Sequence, residues 1–246
     1  TAQRSLLMIR HLGTDLYFQA KDGTNGVELW KYNGTTASLI DINPGGNSVP
    51  NYLTVLGTDL YFRADDGTDG QELWKYDGTT TTLVQDINPG GNSSPEQLTV
   101  LGTELCFVAN AGTNGEELWK HDGTTTSLVN ISPFGAYPPS DANDLVVIDN
   151  ILYFSVNDQI NGIEPWKYNG TTTSLIQDIN PTGDSEATDF TKFGNDIYFG
   201  ANDGTNGFEL WKVDGPILAT SITVQGQAGA STITTQGGTL QMVATV

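Results

Sequence analysis

Cysteine, basic residues and long apolar runs are scarce in this chain, and each scarcity excludes a class of protein. The chain has one cysteine, Cys106, so it cannot form an internal disulfide, and we expect a buried core thiol there. Lysine and arginine number 10 against 29 acidic residues, which gives a formal net charge of −19. Such a surface lacks the basic track that nucleic acid requires and does not suit anionic membranes. No run of 18 apolar residues occurs, so no helix is predicted to cross a membrane.

Catalytic signatures are scarce as well. The two histidines, His11 and His121, occupy unrelated positions, and the sequence contains no nucleophile elbow, H-E-x-x-H helix, CxxC pair or phosphate loop. The acidic excess instead suits a protein outside the cell, or one that meets cations. We therefore predict a protein that is not an enzyme.

What the sequence does contain is a tetrapeptide, Glu-Leu-Trp-Lys, that recurs five times with one variation, EPWK, in the fourth copy. Its tryptophans are separated by 44, 45, 47 and 45 residues and lie at Trp30, Trp74, Trp119, Trp166 and Trp211. The repeated glutamates are Glu28, Glu72, Glu117, Glu164 and Glu209, and the repeated lysines are Lys31, Lys75, Lys120, Lys167 and Lys212. A period of about 45 residues is typical of a four-stranded propeller blade or of a helical-pair repeat.

The second copy decides between these architectures. From Tyr52 to Gly91 it consists of short segments rich in Leu, Val, Tyr, Phe, Trp and Thr, separated by Gly, Asp, Asn or Pro. That composition is typical of strands and tight turns, and no segment has the apolar spacing of an amphipathic helix. Apolar residues at adjacent positions, such as Tyr61 with Phe62, indicate a sheet that is covered on both faces. The sequence thus predicts an all-β fold: a five-bladed β-propeller of four-stranded antiparallel blades, with a short C-terminal β tail.

The predicted domains follow from the repeat. Residues 1–224 form the propeller, with blades at about 5–46, 47–91, 92–140, 141–184 and 185–224, and residues 225–246 form the tail. Innermost strands are predicted near residues 7–12, 52–56, 97–101, 144–148 and 189–193, and outermost strands near 38–42, 82–87, 127–131 and 174–179. For the fifth outermost strand, residues 217–224 are favoured over the N-terminal stretch 2–8.

The alternation of a strand places the repeated Glu and Trp on one face and the Leu and Lys on the other. We expect the tryptophans to pack one blade against the next. We also hypothesise that the Glu of one blade pairs with the Lys of the next, giving a circular set of five ion pairs. Stacking of glycans on the tryptophans is less favoured, because a residue needed in every blade is usually a core residue.

The hairpin loops between the second and third strands end in Asn-Gly or Asp-Gly in every copy. These pairs supply the positive φ angles that tight hairpins require. A functional alternative is calcium, which carboxylate and amide oxygens can bind. Three carboxylates occur in the second loop alone, at Asp65, Asp66 and Asp69, so a calcium site is predicted there if anywhere.

Residues outside the repeat pattern are the candidates for a specialised contact. The segment 132–144 departs most from the repeat, and its Phe134 and Tyr137 are expected to form a contact loop. Acidic residues outside the pattern gather near the innermost strands, namely Glu96, Asp141, Asp144, Asp149, Asp184, Glu186 and Asp189. Because their spacing gives no acid–base pair, we interpret them as solvated loop charges.

The units ELWKYDGT, at residues 72–79, and LVQDINPGG, at residues 83–91, resemble the ELW-x-x-DGT repeat family of bacterial secreted and cell-surface proteins. The resemblance recurs in every copy and departs at residues 164–167 and in the loop 157–162. It implies an extracellular β-propeller module without established chemistry, in adhesin-like proteins of several domains. Residues 222–246 look like the opening strands of a group 2 bacterial immunoglobulin-like domain, which implies a longer native polypeptide.

We therefore expect a non-catalytic module of the bacterial cell surface that acts as a scaffold and interaction platform, or as a subunit of a surface fibre. Its expected partners are other copies of itself, other surface proteins or glycans, without nucleic acid and without membrane insertion. Two alternatives remain open: a lectin with one glycan site per blade and, less favoured, a glycoside hydrolase with carboxylates in the axial funnel. The sequence predicts no cofactor apart from calcium.

Overall fold

The strands of this protein fall into five antiparallel sheets. The computed structural model describes residues 9–112, 115–131 and 140–213, and in these ranges no helix is long and apolar enough to span a membrane. The first sheet contains β1 (Ile9–Leu12), β2 (Asp15–Lys21), β3 (Val27–Tyr32) and β4 (Ala37–Ile40). The second contains β5 (Asn51–Leu56), β6 (Asp59–Asp65), β7 (Gln71–Tyr76) and β8 (Thr81–Gln85). The third contains β9 (Glu96–Leu101), β10 (Glu104–Asn110), β11 (Glu116–His121) and β12 (Thr126–Leu128). The fourth contains β13 (Ser140–Ile148), β14 (Ile151–Asn157), β15 (Ile163–Tyr168) and β16 (Thr173–Leu175). The fifth contains β17 (Thr188–Phe193), β18 (Asp196–Asn202) and β19 (Phe208–Val213).

Each sheet is a meander, in which every strand pairs with the next strand along the chain. The register is repeated from sheet to sheet, so that the aromatic residue of the second strand lies opposite the tryptophan of the third, as Phe62 does opposite Trp74. Two glycines shape the hairpin between these strands; in the second sheet Gly67 and Gly70 adopt φ angles of 83° and 81°. Residues with a Cβ rarely adopt such angles, so the repeated glycines answer a requirement of the backbone.

The five sheets follow one another as the blades of a propeller, and we call them blade 1 to blade 5. The first strands of successive sheets contact each other, and the Thr54 hydroxyl of β5 donates a hydrogen bond to the Leu98 carbonyl of β9 at 3.2 Å. The first strand of each sheet is therefore the innermost one. This arrangement confirms the predicted fold class, an all-β propeller built from antiparallel blades.

Every blade has two faces, and the front face of one blade packs on the back face of the next. Between blades 1 and 2, the front face contributes Tyr17, Leu29 and Ile42, and the back face contributes Leu53, Leu60, Phe62, Ala64 and Tyr76. Equivalent clusters of buried side chains join blades 2 and 3, blades 3 and 4, and blades 4 and 5. The core of the molecule is thus a series of interfaces between neighbouring sheets.

The outermost strands are shorter than the sequence predicts. The strand β4 ends at Ile40 rather than at residue 42, and β16 ends at Leu175 rather than at residue 179. The chain leaves the sheet here because the Ile42 amide donates to a glutamate side chain instead of to a neighbouring strand. Residues 2–8 and 217–224, which are the alternatives for the fifth outermost strand, lie outside the described residues, as does the tail 225–246. The domain boundaries therefore stay predictions.

Candidate interaction site at the innermost strands

The repeated glutamate is a buried hydrogen-bond acceptor at the junction between blades. Glu72 lies on β7, and its carboxylate accepts hydrogen bonds from the backbone amides of Ile87, at 3.3 Å, and Ser93, at 2.7 Å. The Ser93 hydroxyl donates to the same carboxylate. Because Ser93 leads into β9, one side chain of blade 2 holds the start of blade 3. We call this contact between glutamate and serine the junction clasp.

The junction clasp recurs elsewhere in the array. Glu28 accepts hydrogen bonds from the amides of Ile42 and Ser48 and from the Ser48 hydroxyl. Glu164 accepts from the amides of Ile179 and Asn180 and is hydrogen-bonded to Ser185. Burial raises the pKa of Glu72 and of Glu164, and the hydrogen bonds from serine oppose that shift. A buried carboxylate requires such donors, and here amides and hydroxyls supply them.

Four of the five repeated lysines form an ion pair within their own blade. The Lys31 ammonium lies 2.7 Å from Asp15, and the same pairing joins Lys75 to Asp59, Lys120 to Glu104 and Lys212 to Asp196. The hypothesis of glutamate–lysine pairs between blades was therefore wrong. The glutamate precedes the lysine by three residues, which is about 10 Å along the strand. When the third strands of two neighbouring blades face each other, the glutamate of one is therefore displaced along the strand from the lysine of the other. The lysine instead meets the acidic residue that begins the second strand.

The repeated tryptophans lie on the back faces of the blades. Trp166 is buried in the cluster between blades 3 and 4. Trp74, Trp119 and Trp211 are partly buried and pack against the clusters that join their blades to the preceding ones. Trp30, on blade 1, is partly buried too. None of the five therefore offers a fully open indole on which a sugar ring could stack.

The second hairpin loop is held by its own aspartates. Asp66 accepts hydrogen bonds from the amides of Thr68 and Asp69, each at 2.9 Å, and Asp65 accepts from the Gly67 amide at 2.6 Å. Among the described residues, no group of three or more His, Cys, Asp or Glu side chains could hold a metal ion. A calcium site at Asp65, Asp66 and Asp69 stays a prediction, and loop amides already bind one carboxylate oxygen of Asp65 and one of Asp66.

Two side chains with distinctive chemistry are buried. Cys106 is fully buried, as the sequence predicts, and burial raises the pKa of its thiol to about 12. Such a thiol is not a nucleophile near neutral pH. His121 is buried beside Tyr61, its Nδ1 lies 3.0 Å from the Thr126 hydroxyl, and burial lowers its pKa. Both side chains therefore fill space between blades.

The innermost strands contain a strained position at which the residue type varies between Tyr, Gln and Asp. Tyr52, Gln97, Asp144 and Asp189 occupy equivalent places in their strands, with φ angles of 55°, 53°, 55° and 60°. The pairing register with the second strand is irregular in these sheets, as at a β-bulge. Positive φ angles are uncommon for residues other than glycine, and strained positions concentrate at functional sites. The backbone is repeated here while the side chain varies, as in a site built for a specific contact.

Side chains at and beside these positions form a polar cluster between blades 2 and 3. The Arg63 guanidinium lies 2.7 Å from Glu96 and 5.0 Å from the centre of the Tyr52 ring. The Tyr52 hydroxyl is hydrogen-bonded to Glu96, and burial together with the charge of Glu96 raises the pKa of this phenol. Tyr52 is therefore protonated at neutral pH. We call Tyr52, Arg63, Glu96 and Gln97 the inner-strand cluster.

Gln97 links the inner-strand cluster to blade 4. Its side-chain amide donates to Asn143 at 2.9 Å and accepts a hydrogen bond from the Leu145 amide at 3.0 Å. The side chain of Glu96 keeps 42% of its surface exposed, whereas that of Arg63 keeps 15%. The cluster thus presents a carboxylate and amides to solvent, held in place by a mostly buried arginine.

Two of the remaining acidic residues outside the repeat have partners that stabilise the fold. Asp149 pairs with Lys192 at 2.6 Å, and Asp184 accepts a hydrogen bond from the Ile163 amide at 2.8 Å. Glu186 adopts a positive φ angle of 49°. The side chain of Asp141 lies outside the described residues, as do the predicted contact residues Phe134 and Tyr137.

Open cavities lie at equivalent places on the rim between neighbouring blades. One, of about 420 Å³, lies between residues 38–41 of blade 1 and residues 79–81 of blade 2. The other, of about 430 Å³, lies between residues 130–131 of blade 3 and residues 171–175 of blade 4. Both are lined by the threonines of the turn before the outermost strand, so the repeat builds the same recess at two junctions.

The chain matches no family model and no curated protein. Solved propellers are similar to it at low sequence identity. The β-propeller domain of the Trilobed protease from Pyrococcus furiosus is 11% identical, with a TM-score of 0.43 over 85% of this chain and 81% of that one. An acylaminoacyl peptidase from Pyrococcus horikoshii is 10% identical, with a TM-score of 0.49 over 79% of this chain and 32% of that one. A mutant of the Aleuria aurantia lectin, in complex with α-methyl-L-fucoside, is 13% identical, with a TM-score of 0.38 over 87% of this chain and 79% of that one. We carry no ligand and no site residue over from these proteins.

The serine of the junction clasp and the inner-strand cluster were not predicted from the sequence. The serine had a signal, because an Asn or Asp followed by Ser recurs at the same place in the repeat, at residues 47–48, 92–93 and 184–185. The cluster had none, since Tyr52 and Gln97 occupy one position with different chemistry and Arg63 occurs in one copy alone.

Proposed function

We propose that this protein is a non-catalytic module of the bacterial cell surface that acts as a scaffold and interaction platform. The observation that supports this most is that the repeated polar side chains stabilise the fold, whereas the varied ones form a separate cluster. Three of the repeated glutamates bind serines, four of the repeated lysines bind carboxylates, and loop aspartates bind backbone amides, so these groups build the blades. The varied residues gather instead in the inner-strand cluster. A constant frame with one variable polar patch is typical of recognition.

The chemistry of the inner-strand cluster suits a polar partner surface. Glu96 is engaged by Arg63 and by the Tyr52 hydroxyl, which orients its carboxylate. Beside it, the side-chain amides of Gln97 and Asn143 are hydrogen-bonded to each other and add further polar groups to the same surface. Convergent groups of this kind fix the orientation of a hydroxyl-rich or amide-rich partner.

The location outside the cell is part of the same proposal. The net charge of −19 and the ELWKYDGT-type units support it, since the latter resemble the ELW-x-x-DGT repeats of secreted and cell-surface proteins. The likeness of residues 222–246 to a bacterial immunoglobulin-like domain supports the same location.

Biolayer interferometry with two immobilised probes, a mucin-type glycoprotein and bacterial peptidoglycan, tests the platform role. We expect binding to at least one probe, weakened about tenfold or more in the double variant Arg63→Ala, Gln97→Ala, because both anchors of the cluster are lost. The control variant Lys75→Ala breaks an ion pair on blade 2 outside the cluster and should bind as the wild type does. Unchanged binding by the double variant, or hydrolysis of nitrophenyl glycosides that Glu96→Gln abolishes, would contradict the proposal.

The rim cavities favour a second candidate function, multivalent glycan binding. Their volumes of about 420 and 430 Å³ fall within the range of small-ligand sites, and threonine hydroxyls line both. A glycan array would identify a ligand, and isothermal titration calorimetry would then count the sites. We expect more than one site per chain, with Thr79→Val and Thr171→Val each removing one. An array without hits, or a single site that neither variant affects, excludes this function.

A further inference from the structure

The series of blades has two ends, and the faces at both ends are apolar and exposed. Clusters of buried side chains join blade 1 to blade 2, and so on to blade 5, but among the described residues no cluster joins blade 5 to blade 1. Within the part of the chain that the structure describes, no blade covers the front face of blade 5 or the back face of blade 1.

The front face of blade 5 differs from the front faces of the other blades in the exposure of Leu210. Leu210 is 77% exposed, whereas the residues at its position on blades 1 to 3 are 0% exposed, namely Leu29, Leu73 and Leu118. Phe193, on the same face, is exposed as well, and with Tyr198 and Leu210 it lines an open recess of about 580 Å³. The tyrosines equivalent to Tyr198 on blades 1 and 2 are buried. An apolar patch of this kind on a soluble protein indicates a binding surface.

The back face of blade 1 differs from the back faces of the other blades in the exposure of Leu16. Leu16 is 40% exposed, whereas the residues at its position on the other blades are 0% exposed, namely Leu60, Leu105, Leu152 and Ile197. Phe18 is partly exposed, although the equivalent Phe62 on blade 2 is fully buried. The two end faces thus expose the side chains that the internal junctions cover.

We propose that the front face of blade 5 binds the back face of blade 1 of a second copy of this protein. The internal junctions show that these two kinds of face fit each other, since a Leu, Tyr and Ile of one blade meet a Leu, Phe and Ala of the next. The contact between copies would continue an interface that the chain already forms four times within itself. The contact joins two different faces, so each copy that binds through one end face leaves its other end face free for a further copy. Repeated addition in this way produces a fibre. This proposal stands whether or not the inner-strand cluster binds a partner.

Charge sets the conditions for this association. Each copy has a formal net charge of −19, so two copies repel each other when little salt is present. Added salt screens that repulsion and leaves the apolar contact in place. Association should therefore be stronger in about 0.5 M sodium chloride than in about 0.02 M, which is opposite to the behaviour of a contact held by ion pairs.

Sedimentation velocity over a series of protein concentrations tests the proposal. The wild type should rise above the 26.4 kDa of a single chain as concentration increases. The variants Leu210→Asp and Leu16→Asp should each remain single chains, because each lacks one of the two faces. The control Ile160→Asp changes an exposed apolar residue in a loop of blade 4 and should associate as the wild type does. Circular dichroism and thermal melting establish that each variant is folded, and Leu210→Ser with Leu16→Ser replaces the pair if an aspartate variant unfolds.

Mixing the two variants provides the decisive measurement. The intact blade 5 face of Leu16→Asp should bind the intact blade 1 face of Leu210→Asp, giving particles of about twice the single-chain mass and nothing larger. A wild type that stays a single chain at every concentration overturns the proposal and indicates that the end faces are covered within one molecule. A mixture that stays monomeric, or single variants that associate like the wild type, overturns it as well.

Discussion

Glu72 is buried together with the groups that donate to it, and this determines how the protein should respond to its removal. The substitution Glu72→Ala leaves the amides of Ile87 and Ser93 buried without an acceptor. Unsatisfied groups of this kind cost about 1–3 kcal/mol each, so we expect a loss of about 3 kcal/mol in the free energy of unfolding, measured by urea denaturation. The same change at Glu209, which is exposed, should stay within about 0.5 kcal/mol. Equal losses at both positions would mean that the clasp does not stabilise the junction.

His121 should make the protein less stable in mild acid. Burial lowers its pKa below the ordinary value of about 6.5, so the unfolded chain binds more protons as the pH falls through that value. Stability from the neutral imidazole is therefore fully present above about pH 6.5 and is lost as the pH falls toward the lowered pKa. The raised pKa of Glu72 acts in the opposite direction, since the folded state then binds the extra proton.

The variant His121→Tyr separates these two effects. Tyrosine occupies the equivalent position in blades 1, 2 and 4, so it fits the repeat. We expect the variant to gain stability relative to the wild type as the pH is lowered from about 7.5 to about 5.5, because it removes the histidine and keeps the glutamates. Urea denaturation at several pH values measures this difference. A constant difference between the two proteins across that range would show that His121 does not titrate on unfolding.

At the scale of strands and turns, the repeat made much of the fold predictable. Alternating and adjacent apolar residues, bounded by Gly, Asp and Asn, located four strands in each of blades 1 to 4, three strands in blade 5, and the hairpins between them. The ends of the outermost strands were predicted too late, because Ile42 and Ile87 look like strand residues while their amides bind a buried glutamate. The local pattern of apolar residues cannot predict a hydrogen bond to a side chain that is 15 residues away in the sequence.

The candidate site was predictable to a smaller extent, for a related reason. Repetition identified the glutamates and lysines as important, yet it did not say what they contact, and the proposed pairing between them was wrong. Arg63, on the second strand of blade 2, and Glu96, on the innermost strand of blade 3, are 33 residues apart and meet because the two blades are neighbours. Such a contact depends on tertiary structure, so the spacing in the sequence could not reveal it.

Two turn glycines allow the cost of a positive φ angle to be separated from the cost of a steric clash. Gly70 and Gly78 have similar φ angles, of 81° and 95°. A Cβ on Gly70 would come within 2.7 Å of the Gly91 carbonyl oxygen, whereas a Cβ on Gly78 meets no atom within 4 Å. Both alanine variants carry the cost of a positive φ angle, and Gly70→Ala adds a clash.

We therefore expect Gly70→Ala to lower the free energy of unfolding by about 1–3 kcal/mol more than Gly78→Ala does. Thermal melting of the two variants beside the wild type measures the difference. If the two melt together, the loop and the segment before β9 move apart at little cost, and the close approach of these elements is not important for stability.

The molecule as a whole contains far more negative than positive charge, and this should weaken the folded state. Repulsion among carboxylates on a compact body exceeds that in an expanded chain, and salt reduces it. We expect the melting temperature to rise by a few degrees between about 0.02 M and about 0.5 M sodium chloride. Potassium chloride at the same ionic strength should have the same effect, since the cause is screening. A fall in melting temperature would mean that the ion pairs of the repeated lysines outweigh the general repulsion.

The junction clasp has a consequence for the history of such chains. The stretch from Glu72 to Ser93 contains both members of the clasp, and it also contains the connection to the next blade. Duplication or loss of one complete unit in the gene therefore adds or removes one junction together with both residues of its clasp. The other junctions between blades are left intact. The number of blades can change by whole units without any compensating mutation, so proteins of different length can arise from this one motif.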